Sequence, residues 1–76
     1  MTHKEHTDII AIRPNGLEIA RISVPFGTRQ AVTMAAATLR GRIRAEEGFT
    51  PSFRVVKYGY AGIPERDVTT LWASVL

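Results

Sequence analysis

The middle of the chain, residues 28–48, has the residue pattern of one long amphipathic helix. Thr28 is a favourable N-cap residue and Gly48 a favourable C-terminal stop, so we predict a helix that runs from Thr28 to about Glu47. At about 100° per residue, one stripe of this helix is apolar and is predicted to face a sheet. The stripe consists of Val32, Ala35, Ala36, Leu39 and Ile43. In a chain of 76 residues, one helix of this length leaves room for only a few short strands.

The segment before the helix predicts a β-hairpin. A β-branched run ends at Pro14-Asn15-Gly16, in which Pro presets φ for a turn and Gly takes the left-handed position that follows. Leu17 to Val24 is the predicted return strand. Its apolar positions change phase along the strand, which predicts a β-bulge near Ala20 and Arg21.

The segment after the helix predicts further strands. Phe53 to Tyr60 is the predicted third strand, and Gly62 to Asp67 is a predicted turn. Val68 to Leu76 fits either a strand or a helix, and its β-branched content favours a strand. We therefore predict a single small α+β domain of order ββαββ over residues 8–76, in which the main helix packs on a mostly antiparallel sheet. Residues 1–7 are predicted to form a flexible N-terminal tail, and a C-terminal helix would give the alternative order ββαβα.

This succession of a hairpin, a helix and further strands resembles the β-grasp arrangement of ubiquitin-like proteins. The resemblance covers most of the chain and rests on element order. The residues Ser74-Val75-Leu76 differ from the diglycine that conjugating and sulfur-carrying members use. The resemblance thus implies a fold and no activity.

The residue types present argue against catalysis. Five acidic residues lie in predicted turns or at helix ends: Glu18, Glu46, Glu47, Glu65 and Asp67. No histidine lies in the predicted domain to act as a base. The close pair Gly59 and Gly62 precedes no helix start, so it predicts no phosphate-binding loop. We expect no enzyme, no cofactor and no small-molecule substrate.

Metal and membrane binding are not expected either. His3 and His6, with Glu5 and Asp8, could be drawn as a metal cluster, but they fall in or beside the predicted tail. The chain has no Cys, which fits a reducing, cytoplasmic setting. No apolar run approaches the roughly 20 residues that span a bilayer. We predict a cytoplasmic protein without a metal site.

The helix also carries a line of small, uncharged residues. Ala37, Gly41 and Ala45 recur at every fourth position. Small residues let another backbone approach closely, although Gly inside a helix costs about 1 kcal/mol relative to Ala. Close packing on the chain's own sheet, or merely a good helix-forming surface, would explain the line, and so would contact with another protein or with a second copy. The predicted partner-binding residues on this line and its borders are Met34, Ala37, Thr38, Gly41 and Ala45.

Arginine dominates the cationic residues, and the net charge is +3. The guanidinium group binds phosphate through two parallel hydrogen bonds, which suits nucleic-acid recognition. The predicted phosphate-contacting residues are Arg29, Arg40 and Arg44 on one flank of the helix, with Arg21 and Arg54 on strands. Tyr58 and Tyr60 could add base stacking. Local pairing of Arg42 with Glu46 and of Arg44 with Glu47 is the structural alternative.

Two functional hypotheses follow. A chain of this length buries only about 60% of its unfolded surface, so a partner or an oligomer would add stability. The leading hypothesis is a non-catalytic interaction protein that binds a protein partner, in the manner of the short regulators or inhibitors that phages encode. The alternative is a small basic nucleic-acid-binding module that contacts phosphates through the arginine-rich helix flank.

Overall fold

The computed structural model describes residues 5–59 and 66–76. The elements are β1 (His6–Ile12), β2 (Glu18–Val24), α1 (Arg29–Glu47), β3 (Ser52–Tyr58), β4 (Arg66–Asp67) and a C-terminal 3₁₀ helix (Thr69–Val75). The four strands form one antiparallel sheet in the order β2-β1-β3-β4. The α+β class with one main helix on an antiparallel sheet is therefore confirmed. None of the described helices is long and apolar enough to cross a membrane.

The hairpin between β1 and β2 turns where the sequence predicts it. Gly16 has a φ of 90°, the left-handed region that favours glycine. Arg13 and Leu17 close the turn, since the Arg13 N–H donates to the Leu17 carbonyl at 2.8 Å. Asn15 adds a side-chain acceptor for the Leu17 N–H at 3.1 Å. The strand β1 begins at His6, so two residues of the predicted tail belong to the sheet, and residues 1–4 lie outside the described residues.

The predicted β-bulge is present one position earlier than expected. Ala11 pairs with Ala20, whereas the next residue, Ile12, pairs with Glu18. Ile19 is therefore the extra residue on β2. Because two residues of β2 oppose one of β1 here, both Ile19 and Ala20 pack against the core.

The helix α1 agrees with its prediction at both ends and on its buried side. The Thr28 hydroxyl accepts a hydrogen bond from the Ala31 N–H at 3.2 Å, and Gly48 ends the helix with a φ of 78°. All five residues of the predicted stripe are buried: Val32, Ala35, Ala36, Leu39 and Ile43. They pack on Ile9, Ala11 and Val55 of the sheet. The core is thus aliphatic and lies between α1 and one face of the sheet.

The prediction of a strand at Val68–Leu76 is wrong. Most of this segment is the 3₁₀ helix, and the short strand β4 lies in the predicted turn region instead, of which residues 62–65 are outside the described residues. Two side chains explain the change. Asp67 accepts a hydrogen bond from the Thr69 N–H at 3.0 Å, which turns the chain. The Thr69 hydroxyl then accepts from the Val55 N–H at 2.9 Å, so it takes the donor that a continuing strand would have used.

Candidate interaction surfaces

The face of α1 opposite the buried stripe points into solvent. Met34 is 61% exposed, and the other predicted partner-binding residues are exposed as well: Ala37, Thr38, Gly41 and Ala45. We call these five residues the outer face of α1. Close packing of the small residues on the chain's own sheet is therefore excluded, because the helix turns this side away from the sheet.

Gly41 has no packing role within the described residues. A methyl group added to its Cα would meet no atom within 4 Å. Its φ lies outside the left-handed region, since Gly16 and Gly48 are the glycines with positive φ in the described part of the chain. Neither close contact nor backbone conformation within the fold thus accounts for a residue that costs helix stability.

We call the side of α1 that carries Arg29, Arg40 and Arg44 the cationic flank, and one of these arginines forms contacts within the fold. The Arg40 guanidinium donates to the Leu76 carbonyl at 2.9 Å and lies 5.4 Å from the ring centroid of Phe53. It therefore helps to hold the C-terminus against the helix. Arg29 and Arg44 are exposed and form no ion pair with any residue that the structure describes.

The predicted pairing of helix arginines with Glu46 and Glu47 is replaced by a longer-range contact. Glu47 pairs with Arg13, at the end of β1, at 2.8 Å. Arg13 also lies 5.9 Å from the ring centroid of Phe49, so it joins the hairpin turn to the end of α1. The arginines at positions 42 and 44 consequently keep their charge facing solvent.

Arg21 lies on the opposite face of the sheet and is held by acidic residues. Its guanidinium donates to Asp8 at 2.8 Å and also to Glu18. Hydrogen bonds to Glu18 first, then to Asp8 and Tyr58, raise the pKa of Arg21, and the bond from Arg21 lowers the pKa of Glu18. Asp8 is only 4% exposed and also accepts from the Ser23 hydroxyl. Arg21 is therefore hydrogen-bonded to a buried carboxylate and to Glu18, although its side chain is 39% exposed.

Arg54 lies on this same far face, where acidic groups balance the cations. It pairs with Asp67 at 3.2 Å. The pKa of Asp67 is lowered chiefly by its hydrogen bond with the Thr69 side chain, and Arg54 lowers it further. Tyr58 stacks on His6, with ring centroids 4.8 Å apart and planes 13° apart, whereas Tyr60 lies outside the described residues.

The five predicted phosphate-contacting arginines therefore do not share one surface. Arg29, Arg40 and Arg44 line α1, and Arg21 and Arg54 lie on the far face of the sheet beside Asp8, Glu18 and Asp67.

Within residues 5–59 and 66–76, no three His, Asp or Glu side chains are grouped as metal ligands need to be, and His3 lies outside the described residues. His6 faces Asp8, with Nε2 3.7 Å from Oδ1.

Asp8, Arg21 and Ser23 form a hydrogen-bonded network that the sequence pattern did not predict. Asp8 lies on β1 and the other two lie on β2, so their position on one face of the sheet follows only from the hairpin register. We call these three residues the Asp8 network. The one-residue bulge at Ile19 lies between the turn and Arg21, so counting residues back from the turn predicts the wrong pairing partners.

Comparisons of this chain with protein-family models, with curated proteins and with solved structures give no match.

Proposed function

We propose that this chain is a non-catalytic interaction protein that binds another protein through the outer face of α1. The observation that supports the proposal is Gly41, which is exposed at the centre of that face and where an added methyl group would meet no atom of the described residues within 4 Å. A helix that keeps Gly there forgoes about 1 kcal/mol relative to Ala. Close approach of a partner's backbone over Gly41 would offset this loss. Regulation or inhibition of that partner is the role we assign to the contact.

The charges around the outer face support a partner of a particular chemistry. The face itself is uncharged, whereas Arg29 and Arg44 border it on one side and Arg42 on the other. A second copy packed antiparallel about a two-fold axis would bring the same flank of both helices together, which places arginines against arginines. A foreign protein with a small or apolar centre and acidic margins fits better.

A paired substitution tests this proposal. Gly41→Leu adds a large side chain at the centre of the outer face, and Thr33→Leu adds the same side chain at an exposed position on the cationic flank. Each variant and the parent chain are used as bait, and the retained proteins are quantified. We expect the same partner with the parent and with Thr33→Leu, and its loss with Gly41→Leu. Equal retention by all three baits would refute the outer face as the binding surface.

Nucleic-acid binding is the second candidate, and it has weaker support. Arg29 and Arg44 are exposed, but the other three predicted arginines are hydrogen-bonded within the fold. Titration with labelled oligonucleotides at low and physiological salt distinguishes it, because phosphate contacts weaken steeply with salt. Charge reversal at Arg44 should then abolish binding.

We also propose that the fold is related to the β-grasp arrangement. The order of the strands and the helix along the chain supports this proposal.

A further inference from the structure

The strand β2 is the long exposed edge of the sheet. It pairs with β1 on one side and has no second neighbour among the described strands. The other edge is the two-residue strand β4. An edge strand presents a row of unpaired N–H and C=O groups that can pair with another chain. Within β2, neither Pro nor Gly interrupts that row, and the bulge at Ile19 limits its regular part to residues 20–24.

The hydrogen bonds of Val55 determine which backbone groups of the central strands face each other. Its N–H donates to Thr69 at 2.9 Å, and its carbonyl accepts from the Val68 N–H at 2.8 Å. Both partners lie on the side away from β1. Val55 therefore exchanges no ladder hydrogen bonds with Ile9, the β1 residue directly opposite.

The alternation of hydrogen-bonded and non-hydrogen-bonded pairs in the antiparallel sheet then determines which backbone groups of β2 point towards β1. Because Ile9 does not bond towards β3, its N–H and C=O face β2, where Ile22 is its partner. Ile22 therefore directs its own backbone groups inward, to β1. Its neighbours Arg21 and Ser23 direct their N–H and C=O groups outward, away from the sheet.

These outward groups are self-complementary in one register. An antiparallel pair of β2 strands with its two-fold axis at Ile22 sets Arg21 of each copy opposite Ser23 of the other, which gives four N–H···O=C bonds. An axis at Arg21 would oppose two guanidinium groups. An axis at Ser23 would oppose Arg21 to Pro25, which has no N–H to donate.

The side chains agree with the Ile22-centred register on both faces. On the helix side, Ile22 meets Ile22 of the second copy, and Ala20 meets Val24; all of these are half-buried in one chain and pack against its core. On the far side, Arg21 approaches Ser23 of the second copy, whose hydroxyl donates to the Asp8 carboxylate. Apolar side chains thus meet apolar ones, and each guanidinium meets a site that contains a carboxylate.

We propose that a second copy of this chain pairs with the first through β2, about a two-fold axis at Ile22. The two four-stranded sheets then form one continuous sheet. Both α1 helices then lie on the same side of the joined sheet. Their outer faces stay exposed, so the dimer presents two copies of the outer face of α1. The proposal rests on the sheet edge and is independent of what binds those helices.

The first test is the mass of the chain in solution. Sedimentation from about 5 to about 500 μM should show a dimer that dissociates on dilution. Ser23→Pro removes an outward N–H and the hydroxyl bond to Asp8 but leaves the backbone hydrogen bonds between β1 and β2 in place, and it should give a monomer at every concentration. Ser23→Ala also loses the hydroxyl bond to Asp8 but keeps the N–H, and should remain dimeric. A parent chain that is monomeric throughout, or a dimer that a folded Ser23→Pro retains, would overturn the proposal.

The second test locates the axis and does not depend on the proline variant folding. The chain has no Cys, so Ile22→Cys introduces a single thiol. Directly opposed residues at such a position have Cα atoms about 4.5 Å apart, within disulfide range. Ala20→Cys is the control, because it lies on the same strand and face but about 14 Å from its copy. Mild oxidation should cross-link Ile22→Cys rapidly, and cross-linking no faster than that of Ala20→Cys would overturn the register.

A third measurement separates this dimer from the proposed binding of a partner protein. Gly41→Leu alters the outer face of α1 and leaves β2 unchanged, so the variant should form the same dimer as the parent chain at each concentration. A dimer that Gly41→Leu dissociates would refute the β2 contact and would indicate self-association through α1.

Discussion

Replacing Gly41 with Ala should stabilise the fold. Among residues 5–59 and 66–76, the added methyl group meets no atom within 4 Å, and the residue already has helical backbone geometry, so the substitution introduces neither a clash nor strain. Ala reduces the conformational freedom of the unfolded chain and favours the helix, which is worth about 1 kcal/mol. For a domain of this size, a change of that magnitude raises the melting temperature by about 4–8 °C. Thermal and urea unfolding at one protein concentration measure both quantities.

Gly48 supplies the matched comparison. A methyl group there also meets no atom of the described part of the chain within 4 Å, but the φ of Gly48 is 78°, so an L side chain is strained. Gly48→Ala should therefore destabilise the chain by about 1 kcal/mol or more, opposite in sign to Gly41→Ala. If Gly41→Ala is neutral or destabilising while Gly48→Ala behaves as expected, the Gly41 position is in contact with something, and the reasoning about its open surroundings is wrong.

Three further predictions follow from other contacts. Asp8→Ala removes the buried acceptor of Ser23 and Arg21 and should lower the free energy of unfolding by on the order of 2 kcal/mol in urea, and no change would show that the network adds nothing. Leu39→Ala leaves a cavity at a fully buried position and should cost about 3 kcal/mol, so a loss below about 1 kcal/mol would contradict the described core. Glu18 and Asp67 have lowered pKa values in the fold, so the stability that they add is present above the ordinary carboxyl pKa of about 4 and is lost as pH falls through the lower folded values. Urea unfolding between about pH 2 and pH 6 should show this loss, and Asp67→Asn should reduce it; an unchanged pH dependence in the variant would refute the role of Asp67.

The features predicted from sequence are those that depend on neighbouring residues. Thr28 and Gly48 cap the helix through bonds to residues three or four positions away, and Gly16 allows a turn that closes within five residues. Such signals do not require knowledge of the tertiary fold. The helix, its buried side and the hairpin were predictable for that reason.

The features that the sequence did not reveal depend on contacts between distant segments. Thr69 takes the Val55 N–H, 14 positions away, and thereby ends the sheet where β-propensity favours a strand. Arg40 donates to the Leu76 carbonyl across 36 positions, so its guanidinium is partly occupied within the fold. The Asp8 network needs a register that a bulge shifts. None of these contacts leaves a periodic signal along the chain.

The most direct test is the amount of partner that Gly41→Leu retains relative to Thr33→Leu, with the oligomeric state of each variant recorded in the same buffer. We expect Gly41→Leu to lose the partner, Thr33→Leu to keep it, and both variants to have the oligomeric state of the parent chain. Equal retention by the two variants would contradict the claim that the outer face of α1 is the binding surface.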